Sequence, residues 1–274
     1  MKNSKMALIY DFDKTLSPKD MQEFHYISKL GYENAGDFWA RSQENSKLNN
    51  MDGILSYMEL MVKENPNVTK AELREEGKYI ELYKGVETWF DRVNEYGKKH
   101  HVDVEHYIIS SGIKEMIEGT KIAKKFKKIY ACSYAYDKKG KVLWPSRVVN
   151  YTTKTQYLFR VNKGVLDETN DVDLNRKTPT EEKHIPFENI VYFGDGLTDV
   201  PSMKVVLEQG GNTVAVYEDE ENKKKIALAL QKDDRATYIV KADYSYNSHA
   251  EKLIKGLIDS IETKAKLEKL RIDG

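Results

Sequence analysis

A single cysteine, Cys132, stands among 274 residues, which excludes an internal disulfide and any multi-cysteine metal site. Its flanks, Ile129-Tyr130-Ala131 and Tyr134, read as a strand, so a buried structural thiol is expected there. Charge of one sign is missing too. Lysine plus arginine equals aspartate plus glutamate at 44 each, so no global field draws the chain to nucleic acid or to an anionic membrane. Long hydrophobic runs are absent. Met1 to Lys5 is polar and the apolar run Met6 to Tyr10 is short and ends in charge, unlike a secretory signal or a span of roughly 18 apolar residues. A cytoplasmic protein is the expectation. The six histidines (His25, His100, His101, His106, His184 and His249) form no metal-ligand pattern on one helix, and no internal repeat or low-complexity tract is present. The basic run Lys121 to Lys128 is interleaved with Ile122, Ala123 and Phe126 at helical spacing, as on a solvated helix face.

What is present is charge in quantity, 32% of the chain at a mean hydropathy of −0.67, around regularly spaced apolar segments. Met6-Ala7-Leu8-Ile9-Tyr10 predicts a buried strand opening into Asp11-Phe12-Asp13. From Asp20 to Glu81 helical patterns follow one another: Met21 to Leu30, Asn34 to Glu44, Met51 to Lys63 and Lys70 to Tyr83. Asp20 and Thr69 suit N-caps for the first and fourth, and Pro66 breaks the chain after the third. Beyond Gly85 strands and helices alternate. A helix is expected over Val86 to Lys98, a strand at Tyr107-Ile108-Ile109 ending in Ser110-Ser111-Gly112, a helix over Ile113 to Phe126 and a strand over Lys128 to Ala135. A hairpin turn at Lys138 to Lys141, a helix over Lys154 to Val161 capped by Thr152-Thr153 and a polar loop over Asp167 to His184 come next. The strand Ile190 to Phe193 ends in Gly194-Asp195-Gly196, followed by strands at Thr213 to Val216 and Thr237 to Val240. The charged helix Ala250 to Leu270 either packs on the core or serves association.

This alternation implies an α/β fold, a doubly wound parallel-sheet (Rossmann-like) core with a smaller α-helical cap domain. The expected division is residues 1-18 and 84-274 for the core and 19-83 for the cap. Ligands bind such sheets at the carboxyl ends of the strands, and three strands end in polar or acidic residues there. Asp11 and Asp13 lie two apart and share a face of extended chain. Carboxylates so close repel unless a cation or shared proton intervenes, and oxygen donors favour Mg²⁺ over zinc. In Gly194-Asp195-Gly196-Leu197-Thr198-Asp199, the third position of a dinucleotide fingerprint is Asp199. A pyrophosphate would be repelled there, whereas a metal would be held. Ser110-Ser111-Gly112 before a helix offers a hydroxyl and backbone N–H groups to an anion, a serine N-cap being the alternative. Lys154 opens a helix and could neutralise phosphate charge.

Aspartates, then a serine, then a lysine, then Gly-Asp-Gly-x-x-Asp, each at a strand end or helix start, resembles the haloacid dehalogenase superfamily over nearly the whole chain. The resemblance implies Asp11 as nucleophile, Asp13 as general acid/base, and Lys154, with Lys163 as its rival, holding nucleophile and phosphate. It implies Thr15, Ser110, Ser111, Gly112 and Asp20 around the substrate, and Mg²⁺ at Asp11, Asp13 (through its carbonyl), Asp195 and Asp199. An aspartate at position 13 matches the phosphatases and sugar-phosphate mutases rather than the dehalogenases. The expected activity is hydrolysis of a small phosphorylated metabolite through an aspartyl-phosphate. A phosphotransferase or mutase using the same nucleophile and a non-catalytic phosphate-binding protein are the alternatives. The helices after the first motif, and Leu82-Tyr83-Lys84-Gly85-Val86 returning to the core, resemble the phosphoserine-phosphatase-like branch. Two departures argue against phosphoserine itself: Asp20 stands where that branch carries glutamate, and Met51 to Val62 lacks the expected cap arginine. Phe24, Phe38, Trp39, Arg41, Tyr57 and Met58 are candidates for the pocket wall or for core.

Overall fold

The computed structural model describes residues 3–272. Its centre is a seven-stranded sheet of β1 (Ser4–Tyr10), β2 (Val102–Ile113), β3 (Lys128–Tyr136), β4 (Val142–Arg147), β5 (Ile190–Gly194), β6 (Asn212–Tyr217) and β7 (Tyr238–Lys241). Their spatial order is β4-β3-β2-β1-β5-β6-β7. All neighbours are parallel except β3 and β4, which form an antiparallel hairpin. β1 is central, with Leu8 paired to His106 on one side and to Val191 on the other. Residues Met6 to Tyr10 are buried without exception, as a strand covered on both faces requires, and this explains an apolar run without alternation. The chain leaves β1 toward β2 on one side and returns to β5 on the other. The carboxyl ends of β1, β2 and β5 therefore flank the switch point where a crevice opens.

Helices cover both faces. α5 (Val86–Lys99) buries Val86, Trp89, Phe90, Val93 and Gly97 along one stripe, the spacing of an amphipathic helix on a sheet. Trp89 Nε1 donates to the Tyr10 hydroxyl at 2.8 Å, and that hydroxyl lies 3.1 Å from His106 Nδ1. The terminal helix α11 (His249–Ile272) packs on the core, burying Ala250, Ile254 and Ile258. It is tied to α5 by Arg92–Glu251 at 2.7 Å and to the residue just after α5 by His100–Glu262 at 2.9 Å.

Between β1 and α5 lie α1 (Tyr26–Lys29), α2 (Ala35–Asn49), α3 (Gly53–Glu64) and α4 (Lys70–Glu76), with short 3₁₀ turns at Met21–Glu23 and Gly77–Tyr79. These helices form the cap. The outgoing and returning chains meet where Tyr83 N donates to Leu16 O at 2.9 Å. Gly85 takes φ +84° against the backbone of Tyr244 and Ser245, a conformation and a closeness that no Cβ permits. The cap is also fastened along its flank. Lys70 N donates to Gly140 O at 2.8 Å and Val142 N to Val68 O at 3.0 Å, and the Tyr134 hydroxyl donates to Met58 O at 2.8 Å.

Several local expectations give way to tertiary contacts. β2 runs on to Ile113, and the helix beyond it is only α6 (Lys114–Gly119), with a 3₁₀ turn at Ala123–Lys125. Gly119 lies so close to α4 that an added Cβ would stand 1.8 Å from Arg74 O, so packing rather than propensity ends α6. Asp20 caps nothing with its side chain, whereas Thr69 accepts from Glu72 N at 3.2 Å. Thr153 precedes α7 (Lys154–Lys163) without capping it through its side chain, since its hydroxyl accepts from Asn150 N at 2.8 Å instead. The polar stretch after α7 holds a short helix, α8 (Asp171–Asn175). α9 (Val200–Glu208) and α10 (Glu221–Lys232), unread in the sequence, complete the crossovers around β6. No helix among the described residues is long and apolar enough to cross a membrane. Cys132 is buried and its thiol pushed up to about 11 by burial.

Candidate active site

Asp11 sits at the first turn beyond β1, its amide donating to Phe193 O of the neighbouring β5 at 2.9 Å. The sheet therefore fixes its backbone. Its carboxylate is held on both oxygens: Phe12 N donates to Oδ1 at 2.8 Å and Lys154 Nζ lies 2.9 Å from Oδ2. Lys154 opens α7 with its side chain wholly buried, and its ammonium also donates to Asp199 Oδ1 at 2.7 Å. That oxygen accepts a second bond, from the Tyr192 hydroxyl at 2.8 Å. Tyr192 read as strand core, which it is; only the fold reveals that its hydroxyl reaches this cluster. Lys163, at the other end of α7, donates to the carbonyls of Leu174 and Arg176, so Lys154 is the lysine the fold brings to Asp11.

Oxygens of Asp11, Asp195 and Asp199 all lie within 4.8 Å of one another. Asp199 is wholly buried and its Oδ2 has no hydrogen-bond partner. Gly194 makes room for it, since a Cβ there would meet that oxygen at 2.3 Å. An orphaned buried carboxylate oxygen within an all-oxygen donor set fits a hard divalent cation. The energetics agree. Burial, together with the charges of Asp199 and Asp11, pushes Asp195 up to about 8. Burial raises Asp11 to about 6 although Lys154 opposes the shift. Burial lowers the Lys154 ammonium, yet the charges of Asp11 and Asp199 outweigh it and hold lysine well above its ordinary value. The Asp13 side chain lies outside the three-aspartate cluster.

Asp13 instead faces the cap. Met21 N donates to its Oδ1 at 2.9 Å, and burial, reinforced by the negative charges of Asp20 and Asp11, raises its carboxyl well above the usual range. Gly112 lies against it, where a Cβ would stand 2.9 Å from Asp13 Oδ2 and 2.1 Å from Met21 Cε. Ser110 belongs to β2 rather than to a helix cap, and its hydroxyl accepts from Gly112 N at 3.0 Å. Ser111 Oγ is buried without a partner.

Asp11, Asp13, Asp20, Ser110, Ser111, Gly112 and Asp195 line one cavity of about 330 Å³, closed from the cap side by Gln22, Trp39, Ile54 and Tyr57. Asp20 pairs with Lys14 at 2.6 Å on its wall. Lys14 takes φ +58°, rare for a residue with a side chain. Thr15 is not on that wall. It is buried, and its carbonyl accepts from the Tyr244 hydroxyl at 2.7 Å, so it braces the loop instead of meeting a ligand. Of the aromatic candidates, Trp39 and Tyr57 reach the cavity. Phe38 and Met58 are core, Phe24 packs against it partly buried, and Arg41 turns away to Glu64 at 2.6 Å. Gln22, Lys14 and Tyr192 were not singled out in the sequence. Lys14 and Gln22 look ordinary until the loop after β1 folds back under the cap, and Tyr192 until β5 lies beside β1.

The haloacid dehalogenase-like hydrolase family matches residues 8–204. An uncharacterised protein of Borreliella burgdorferi is 30% identical over 255 residues, covering 81% of this chain and 86% of that one. Among solved structures, a haloacid dehalogenase family hydrolase from Salmonella enterica serovar Typhi superposes with a TM-score of 0.59 at 16% identity, covering 94% of this chain and 73% of that one. A substrate-bound phosphoserine phosphatase gives a TM-score of 0.57 at 16% identity, covering 88% and 95%. The fold is thus shared with both. The family match spans the greater part of the sequence, and this chain belongs to the haloacid dehalogenase-like hydrolases.

Proposed function

We propose that this protein hydrolyses a small phosphomonoester with Asp11 as nucleophile and Asp13 as general acid and base, residues 19–83 closing over the reaction as a cap. The observation that carries the proposal is the division between the two carboxyl groups. Asp11 is held by Lys154 and by a backbone amide, as an ionised nucleophile needs. Asp13 lines the same cavity with its carboxyl raised well above the usual range by burial and by the charges of Asp20 and Asp11, as a proton donor needs. One acid paired to a buried ammonium and one facing other carboxylates suit opposite roles.

In the first step an Asp11 oxygen bonds to phosphorus, the bond to the leaving alkoxide breaks, and the Asp13 proton passes to that oxygen. In the second step Asp13, now a carboxylate, takes a proton from water. The water oxygen bonds to phosphorus, the aspartyl–phosphorus bond breaks, and Asp11 is regenerated. Lys154 holds the nucleophile's orientation throughout, and Ser110 and Ser111, which line the same cavity, would bind phosphate oxygens. A divalent cation, Mg²⁺ by its preference for oxygen donors, would be held by Asp11, Asp195 and Asp199 and would offset the repulsion between carboxylate and phosphate.

The test is release of inorganic phosphate from a panel of small phosphomonoesters with Mg²⁺. Asp13→Asn is expected to lower kcat by about 10²- to 10⁴-fold, the range of a lost general acid. The loss in kcat/KM, which reports the first step, should be smallest for esters of acidic alcohols such as p-nitrophenyl phosphate, whose leaving group needs no proton. Equal losses in kcat/KM on all esters would contradict the acid role given to Asp13.

The same cluster makes metal binding visible in stability. Asp11 at about 6 and Asp195 at about 8 lie above the ordinary aspartate value of 3.8. The folded state therefore binds more protons than the unfolded chain, and stability falls as pH rises from about 4 through those values. In chelator, the urea midpoint is expected to drop between about pH 5 and pH 8, and Mg²⁺ should restore more at pH 8. Burial holds His106 down to about 3, which adds a rise in stability up to about pH 6.5, so a midpoint in chelator that is flat or rises between about pH 6.5 and pH 8 would count against the cluster.

A further inference from the structure

The wall of the cavity facing the leaving group has a composition that the phosphoryl chemistry does not require. Trp39 and Tyr57 meet there edge to face, with ring centroids 5.7 Å apart and planes at 75°, and both line the cavity. Their polar handles are engaged elsewhere: Trp39 Nε1 donates to Glu23 Oε1 at 2.7 Å and the Tyr57 hydroxyl donates to Ser111 O at 2.5 Å. Both rings are thus fixed in place. Gln22, only 2% exposed, lines the same wall, and its Oε1 has no hydrogen-bond partner. A buried amide oxygen without a donor costs stability until a ligand supplies one.

Charge points the same way. With Asp13 as the proton donor, the carboxylates of Asp11, Asp20 and Asp195 line the cavity with Asp199 behind them, and among the described residues the ammonium groups set against them are those of Lys14 and Lys154. A phosphate dianion and a divalent cation cancel one another, so the surplus stays negative. Among the described residues the cap brings no lysine or arginine to this cavity, and the lining cation, Lys14, is paired to Asp20 at 2.6 Å. A carboxylate on the leaving group would find no free partner. An ammonium would find π faces, an acceptor and a negative field.

We infer that the leaving group is a small alcohol bearing a protonated amine and no carboxylate, so that the substrate is the phosphomonoester of an amino alcohol. This rests on the phosphatase reading and names its substrate class. The amine N–H donates to Gln22 Oε1, the charge lies against Trp39 and Tyr57, and the ester oxygen remains beside Asp13.

The experiment compares 2-aminoethyl phosphate with its uncharged counterpart 2-hydroxyethyl phosphate and with O-phosphoserine, in kcat/KM and in calorimetric binding to the Asp11→Asn protein with Mg²⁺. The amine ester is expected to lead both others by at least about tenfold, the scale of a desolvated cation–π contact. Trp39→Leu should collapse the ratio of amine to hydroxyl ester, and Trp39→Phe, which keeps a π face, should retain most of it. Parity between the amine and hydroxyl esters, or preference for O-phosphoserine, overturns the inference. Absence of turnover on every ester counts against the phosphatase reading alone, because binding to the Asp11→Asn protein still gives the preference.

Discussion

Asp11→Asn is expected to abolish phosphate release, with a fall of at least about 10⁴-fold, while leaving a folded and no less stable protein. The loss follows from the chemistry. Asparagine keeps the shape of the side chain and can still accept from Phe12 N, but its amide is no nucleophile toward phosphorus. The stability half follows from electrostatics. Burial and Asp199 raise the Asp11 carboxyl to about 6 despite Lys154, so on balance the folded state disfavours the charge. A neutral side chain removes that cost, at the expense of half the surroundings of Lys154. Function and stability are opposed at this position, as is usual where like charges are gathered for chemistry. The check is phosphate release beside urea denaturation in chelator. Loss of activity accompanied by a collapse in midpoint would mean that Asp11 matters for folding first.

Lys154→Met carries the second large effect, on activity and stability together. The lysine side chain is wholly buried, and it pairs with Asp11 at 2.9 Å and Asp199 at 2.7 Å. Methionine fills much of the volume but leaves two buried carboxylates without their cation. Breaking a buried pair in this way costs about 3–5 kcal/mol, and kcat should fall by about 10²- to 10³-fold, as when one fixed electrostatic partner of the transition state is lost. The destabilisation must depend on pH. Without the ammonium the Asp11 carboxyl rises further, so the folded variant holds protons that the unfolded chain has released. Its stability then falls with rising pH more steeply than that of the wild type. Denaturation in chelator should show the gap between variant and wild type widest near pH 8 and narrowing toward about pH 5. A gap independent of pH would mean that lost packing, and not unpaired charge, dominates.

How far all this could be read in the sequence depends on which contacts are local. Met6 to Tyr10 and Ile190 to Phe193 are continuous apolar runs because both faces of a central parallel strand are covered, and the acidic residues after them announce the crevice. Asp11, Asp195 and Asp199 could be picked out for that reason, and the fold brings their oxygens within 4.8 Å of one another. Lys154 could not be separated from Lys163 by spacing, since only the orientation of α7 decides which end faces Asp11. Asp20 looked like a helix cap because any aspartate before a helix does; its pairing with Lys14 depends on a left-handed turn at position 14. The end of α6 depends on Gly119 lying against Arg74 of the cap. The part of Gln22 in the cavity wall depends on the loop after β1 folding back under the cap, and what separates Tyr57, on that wall, from Met58, in the core, is how α3 lies over the end of β2. Such contacts join segments far apart in the chain, and propensity and periodicity do not see them.

The claim that Asp11 takes the phosphoryl group can be met directly by trapping the intermediate. Rapid quench during turnover, followed by borohydride, converts an aspartyl-phosphate to homoserine. The tryptic peptide Met6 to Lys14 contains both Asp11 and Asp13, so fragment masses assign the site between them. Homoserine at position 11, absent without substrate and absent in Asp13-only fragments, is the expected result. Steady phosphate release with an unmodified Asp11, or label at any other carboxylate, would contradict it.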